Sequence, residues 1–226
     1  MRVIFNEELK AVADDLDHMV KGVRKAINGA GDALLNQNLE AAQAVIDGDI
    51  EIDALEASVI DQCVKLLAKQ NPVATDLRVV VSTMRLATTF ERMGDLARHI
   101  AEAARRTYPA SPLPPEAQTL FAEMQAFLNE TADRVVSMLS DRDTQVAEQI
   151  ILSDDKLDAL HKKTFELAQS EDWQGTNQQL IDVVLIGRFM ERLGDHAVSA
   201  ARRVVFIVSG FDPTKEPSRD EGTDID

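Results

Sequence analysis

The sequence predicts an all-α fold, arranged as a tandem repeat of two antiparallel three-helix bundles. Three observations carry this. Apolar residues recur every three or four positions along most of the chain, all seven prolines stand where a helix should start or stop, and a six-residue stretch returns one hundred residues later. Composition agrees, since aromatics are only 4% while Ala, Leu and Val are plentiful, which suits packed helices better than sheets.

In chain order, Leu9, Val12, Leu16, Val20, Val23, Ile27, Ala30 and Leu34 mark a first helix. Leu39, Ala42, Ile46, Ile52, Val59, Ile60 and Leu67 mark a second. The pair Asn71-Pro72 reads as an N-cap followed by proline at the first helical position, opening a third helix. That helix carries Leu77, Val80, Val81, Met84 and Ala87 and runs to about Thr107. Pro109, Pro112, Pro114 and Pro115 then make a stiff linker over 108–115. Leu120, Met124, Phe127, Leu128, Val135 and Leu139 mark a fourth helix; Ile150, Leu157, Leu160 and Leu167 a fifth; Leu180, Val183, Val184, Met190 and Val198 a sixth. Short connections make neighbours antiparallel. The expected units are a bundle over 5–107, the linker, a second bundle over 116–209 and a disordered acidic tail over 210–226, where Pro213 and Pro217 lie and no periodicity remains.

The repeat is legible in the residues. Phe90-Glu91-Arg92-Met93-Gly94-Asp95 returns as Met190-Glu191-Arg192-Leu193-Gly194-Asp195, and Asp49, Asp53, Ala54 and Leu55 return at a shift of 105 as Asp154, Asp158, Ala159 and Leu160. In both units the acids stand four apart, one turn along one helix face. The apolar seam of the third helix, stepped through 77, 81, 84, 88, 91 and 95, runs straight into Glu91 and Asp95, and Asp49 and Glu56 interrupt the second helix's seam in the same way. Carboxylates beside a helix seam repel one another and resist desolvation, so protons or cations must settle the charge. An all-oxygen set suits magnesium, manganese, calcium or iron better than a thiolate-type zinc site. The competing reading is a solvated face, for which a single Glu-x-x-x-Asp pair is ordinary.

Charge and composition exclude other classes. The formal net charge of the 226 residues is −15, which disfavours gripping nucleic acid and anionic membrane and favours cations or basic partner surfaces. Cys63 is the single cysteine, so no intramolecular disulfide framework exists. No secretory leader or membrane-length apolar run is visible, and the expected compartment is the cytoplasm.

On these residues the chain resembles the PhoU family of bacterial phosphate-uptake regulators. The resemblance rests on the doubled Glu-Arg-x-Gly-Asp at Glu91–Asp95 and Glu191–Asp195. It rests also on Pro72-Val73-Ala74-Thr75-Asp76-Leu77-Arg78 at the start of the third helix, and on Gly48-Asp49, Ile52-Asp53 and Leu55-Glu56 on the second. It spans about Phe5 to Ser209. The resemblance implies two three-helix bundles with multinuclear metal clusters and repression of phosphate-starvation genes. It implies as partners the ATPase subunit of the phosphate ABC transporter and a membrane sensor histidine kinase. Carried over by position, the metal ligands are Asp49, Asp53, Glu56, Glu91 and Asp95, then Asp154, Asp158, Glu191 and Asp195, with iron, manganese, magnesium or a similar divalent or trivalent ion. The second unit departs from the pattern: His161 stands where Glu56 stands in the first, and Arg202 where Glu102 stands. His161 is a candidate nitrogen ligand, or the second site is weaker. A peripheral position at the inner face of the membrane is compatible, and oligomeric state, a homodimer included, stays open.

Arg78, Arg85, Arg92, His99 and Arg106 recur every seven residues and read as a solvated face paired with neighbouring acids, with a partner-docking stripe as the alternative. Cys63 reads as core, Trp173 as the cap of a bundle end, and His18 stays unassigned. No nucleophile-and-base arrangement is present in the pattern, so the expected output is binding without turnover. The alternatives are a di-iron carboxylate enzyme, to which Asp158-x-x-His161 is the nearest approach, and a metal-free helical scaffold.

Overall fold

The computed structural model describes residues 2–210, with side chains from Phe5 onward. The expected acidic tail lies, Gly210 apart, outside the described residues. All regular structure among them is helical. Helix α1 covers Arg2–Asn36, and its stripe Val12, Leu16, Val20, Val23, Ile27, Ala30 and Leu34 is buried. Asn38 caps α2 (Leu39–Gln70), its side chain accepting the Ala41 N–H at 3.0 Å.

The Asn71-Pro72 pair acts differently from the expectation. Asn71 closes α2 in the left-handed conformation (φ 44°, ψ 56°), and α3 spans Ala74–Thr107 with Val73 at its N-cap. A residue before proline is kept out of the right-handed helical region, and asparagine is among the few side chains that accept the left-handed one. The pair therefore ends a helix instead of opening one.

The second repeat begins with a 3-10 turn at Pro115–Ala117 and α4 at Gln118–Asp141. The segment expected as a single fifth helix is two, α5 (Thr144–Leu152) and α6 (Asp154–Ala168). At the break, the Ser153 N–H is shared between the Gln149 and Ile150 carbonyls, and its hydroxyl donates to Ile150 O at 3.0 Å. Serine satisfies the backbone locally, and the acids Asp154 and Asp155 favour the positive end of a new helix. Helix α7 (Asn177–Ser209) opens on a Thr176/Gln179 capping box and closes at Gly210, whose φ of 77° suits glycine.

Helices α1–α3 pack on one another, and α4, α5 and α6 pack on α7. The two bundles meet where α3 lies against α7 and α1 against α4, and buried side chains form one core through both. The proline-rich segment is part of that core: Leu113 is buried, and the Gln179 amide donates to Ser111 O at 3.3 Å. Trp173 packs on the core against Gly175, and Cys63 is fully buried.

The cationic series on α3 is not a simple solvated face. Arg78 donates to Ile207 O at 3.1 Å and sits over the Phe206 ring, His99 stacks 5.3 Å from Phe189, and Arg106 pairs with buried Asp182. A seven-residue step keeps these side chains on one face, and that face looks toward α7. Arg92 pairs locally as expected, with Glu91 at 3.4 Å and Asp95 at 3.2 Å. His18 meets Glu51 at 3.6 Å on the exposed surface.

Candidate functional site

The recurring hexapeptide divides its residues between two jobs. Phe90, Met93 and Gly94, like Met190, Leu193 and Gly194, are buried, so the helix turns Glu91 and Asp95, or Glu191 and Asp195, to the edge facing the neighbouring helix. Arg92 and Arg192 are exposed. Glycine has a positional reason here. A Cβ on Gly94 would stand 3.1 Å from Ile52 Cδ1 and 3.3 Å from Asp49 Oδ1, so its absence lets α2 approach and sets Asp49 against α3. Gly194 plays the same part beside Leu157 and Asp154.

In the first repeat, Asp49, Asp53 and Glu56 on α2 face Glu91 and Asp95 on α3. Asp49 is buried, Glu56 accepts the Thr88 hydroxyl at 2.9 Å, and Asp53 is exposed. Burial pushes Glu91 up to about 7 against the pull of Arg92, with Asp95, Glu56 and Asp53 adding repulsion. Burial likewise raises Asp49, against Arg98 and with Asp53 and Asp95. Asp95 goes the other way: burial raises it, but the Arg98 hydrogen bond and the charges of Arg98, His99 and Arg92 outweigh that and hold its carboxyl below the usual range.

Arg98 is the residue the acidic pattern did not single out. Its guanidinium donates to Asp95 Oδ1 at 2.7 Å and to Glu102 Oε1 at 2.9 Å, and its Nε stands 2.6 Å from Asp49 Oδ2 as an ion pair without hydrogen-bond geometry. The signal was available, because Arg98 stands three residues after Asp95 and four before Glu102, the spacing at which helix side chains meet. Its reach across to Asp49 on α2 is tertiary.

The second repeat gathers Asp154, Asp158 and His161 from α6 and Glu191 and Asp195 from α7, with Arg188 in place of Thr88 and Val198 in place of Arg98. Arg188 pairs with Glu191 Oε1 from the solvent side, its own side chain 52% exposed. Burial raises Asp154, helped by Asp158 and Asp195 and opposed by the charge of Arg202. Burial also raises Glu191, helped by Asp195 and opposed by Arg188. His161 is lowered by burial and by Arg188, against the pull of Asp158 and Asp195, which keeps its imidazole neutral and able to ligate.

Among the described residues no group of three or more His, Cys, Asp or Glu side chains is placed as a preformed metal cage. The second repeat still fits a cation by its chemistry. Glu191 Oε2 and His161 Nε2 are buried without a hydrogen-bond partner, and both are donors a hard or borderline ion accepts.

The raised Glu91 makes a sign-definite prediction for metal-free protein. A carboxyl held above its ordinary value of 4.5 adds stability that is fully present below that value and is lost as pH rises through about 7. Glu91→Gln, which mimics the protonated form, should leave stability unchanged near pH 4.5. At pH 8 it should raise it by about 1–2 kcal/mol, after discounting for solvent screening. Urea unfolding in chelator reads this, and an equal effect at both pH values contradicts it.

A family profile described as PhoU domain matches residues 16–104 and again 121–204. The chain is 37% identical over 216 residues to the phosphate-specific transport system accessory protein PhoU homolog 1 of Mycobacterium tuberculosis, covering 96% of this chain and 98% of that one. It is 31% identical to the corresponding Deinococcus radiodurans homolog, over 93% of this chain and 99% of the relative. The crystal structure of PhoU from Pseudomonas aeruginosa superposes with a TM-score of 0.86 at 26% identity, over 92% of this chain and all of that one. With both repeats matched, the two acidic pairs in register and relatives aligned end to end, this chain belongs to the PhoU family.

Proposed function

We propose that this protein is an accessory regulator of phosphate uptake that represses the phosphate-starvation response in high phosphate by binding the phosphate ABC transporter's ATPase subunit and a sensor histidine kinase, without turnover. The observation that carries the reading is end-to-end similarity to proteins named as phosphate-specific transport system accessory proteins, at 37% identity across both repeats. No helix among the described residues is long and apolar enough to cross a membrane, which fits a cytoplasmic protein that reaches the transporter by contact.

The surface supports contact. Leu77 and Val81 on α3, and Ile181 and Leu185 on α7, are 38–52% exposed and stand beyond the acidic pairs toward the start of each helix. Each repeat therefore offers a partner an acidic patch beside an apolar one. In this reading Asp49, Asp53, Glu56, Glu91 and Asp95, and Asp154, Asp158, His161, Glu191 and Asp195, hold metal ions. A bound cation supplies positive charge that settles the carboxylates and ties α2 to α3 and α6 to α7.

Deletion of the gene tests the reading, with a phosphate-starvation promoter as reporter in high phosphate. Deletion should derepress the promoter, wild type should restore repression, and immobilised protein should retain the ATPase subunit. A promoter that stays fully repressed without the gene would sink the proposal.

A further inference from the structure

The two repeats are related by an approximate two-fold axis, and the contacts between them show where it runs. Along α3 and α7, Arg106 meets Asp182, His99 meets Phe189 and Arg78 meets Ile207. Helix α7 repeats α3 at a shift of one hundred, so in α3 positions these contacts join 106 with 82, 99 with 89 and 78 with 107. Each pair is centred at or within two positions of Gly94, so the helices cross antiparallel at the recurring hexapeptide. Helices α1 and α4, which open the two repeats, also run antiparallel: Gln125 meets Ile27, Arg24 meets Asp133 and Ser140 meets Asp17. One axis therefore passes through both seams. Rotation about it carries the α2–α3 surface onto the α6–α7 surface without changing which way that surface looks along the axis.

The same kind of exposed apolar side chain stands on both halves of this face. Val81 on α3 and its counterpart Ile181 on α7 are both exposed, extended by Leu77 in the first repeat and by Leu185 in the second. Val81 and Ile181 each stand thirteen residues before the glycine of their motif, Gly94 or Gly194. At about 1.5 Å per residue they lie about 20 Å to either side of the axis along the helices, and so about 40 Å apart. A surface that recurs by rotation is matched by a partner with the same symmetry, which presents one patch twice.

We infer that one copy of this chain spans both subunits of a homodimeric partner, with the partner's two-fold axis on the α3–α7 seam. Each subunit sets an apolar segment flanked by basic side chains on one repeat. The basic flank follows from the acids beside each patch and from a net charge of −15. The inference rests on the partner-binding part of the proposed function and deepens it, giving that partner its symmetry and stoichiometry. Two linked contacts hold more tightly than one, because the second forms at the effective concentration set by the first. Such a chain distinguishes an assembled pair of subunits from separated ones.

The probes are the detergent-solubilised phosphate transporter, in which the ATPase subunit is paired, and the same subunit isolated as a monomer. Complex mass gives stoichiometry, and calorimetry gives affinity. One chain should bind one transporter, at least about tenfold more tightly than it binds the monomer. Val81→Glu and Ile181→Glu should each erase that gain, and the double variant should bind neither probe. Leu77→Glu and Leu185→Glu, also at exposed positions, give a second pair, and unchanged melting temperatures show that a variant is folded. Two chains per transporter, or a loss confined to the variants of one repeat, would overturn the inference while the partner reading stands. It is overturned equally if the chain alone sediments as a dimer that Val81→Glu/Ile181→Glu turns into a monomer, since the patches then face a second copy. If wild type binds neither probe, the partner reading itself falls, and this inference with it.

Discussion

Arg106→Ala should destabilise the protein by about 3 kcal/mol, far beyond what a surface arginine usually contributes. Arg106 stands in the last turn of α3 and is 54% exposed, but its partner Asp182 on α7 is 2% exposed. Without the guanidinium, the buried carboxylate keeps one donor, the Gln178 amide at 3.1 Å, and its Oδ2 already has no hydrogen-bond partner. The cost lies in the stranded charge and not in the lost contact, so Asp182→Asn in the Arg106→Ala background should recover about half of it. Urea unfolding of the single and double variants measures both. A loss under about 0.5 kcal/mol for Arg106→Ala would show that the α3–α7 seam does not depend on this pair.

Phe90→Ala should cost about 3–5 kcal/mol and lower the melting temperature by about 10 °C. Phe90 is among the largest fully buried side chains and stands one residue before Glu91. Met190→Ala, its counterpart, should cost about 2–5 kcal/mol. Arg92→Ala, whose side chain is 57% exposed within the same motif, should stay within about 0.5 kcal/mol. A comparable loss at Arg92 and Phe90 would contradict the division of the motif into a packed half and a surface half.

The fold was legible because helical periodicity is local. A residue's place in the three-to-four step shows which helix face it shares, and Val12, Val20, Leu34, Val59 and Val80 are buried on that step, whereas Leu77 and Val81 near the start of α3 stay exposed. The doubled hexapeptide was legible because the two copies keep their register. Helix ends were read less well. Asn71 closes a helix because of the proline after it, and Ser153 breaks one because its side chain competes for backbone hydrogen bonds; both depend on local alternatives that periodicity does not weigh.

The site was legible in part. Spacing placed Glu91 with Asp95 and Asp49 with Asp53 on helix faces, and α2 lies beside α3 as the short connection requires. Spacing did not show that Arg98 would cross to Asp49, nor that the cationic series Arg78, His99 and Arg106 would turn toward α7. Those contacts join residues at sequence separations of 49, 129, 90 and 76, which no local pattern encodes.

The sequence alone therefore determined the helical faces, the division into two repeats and the acidic residues that recur in both, though not every helix end, because each follows from the periodicity of one helix or the comparison of two. Only the tertiary structure decided how the repeats share a core, which arginine settles which carboxylate and which acidic atoms are left buried without a partner. Burial and charge compensation are properties of neighbours in space, and a chain of helices does not reveal those neighbours until the helices pack.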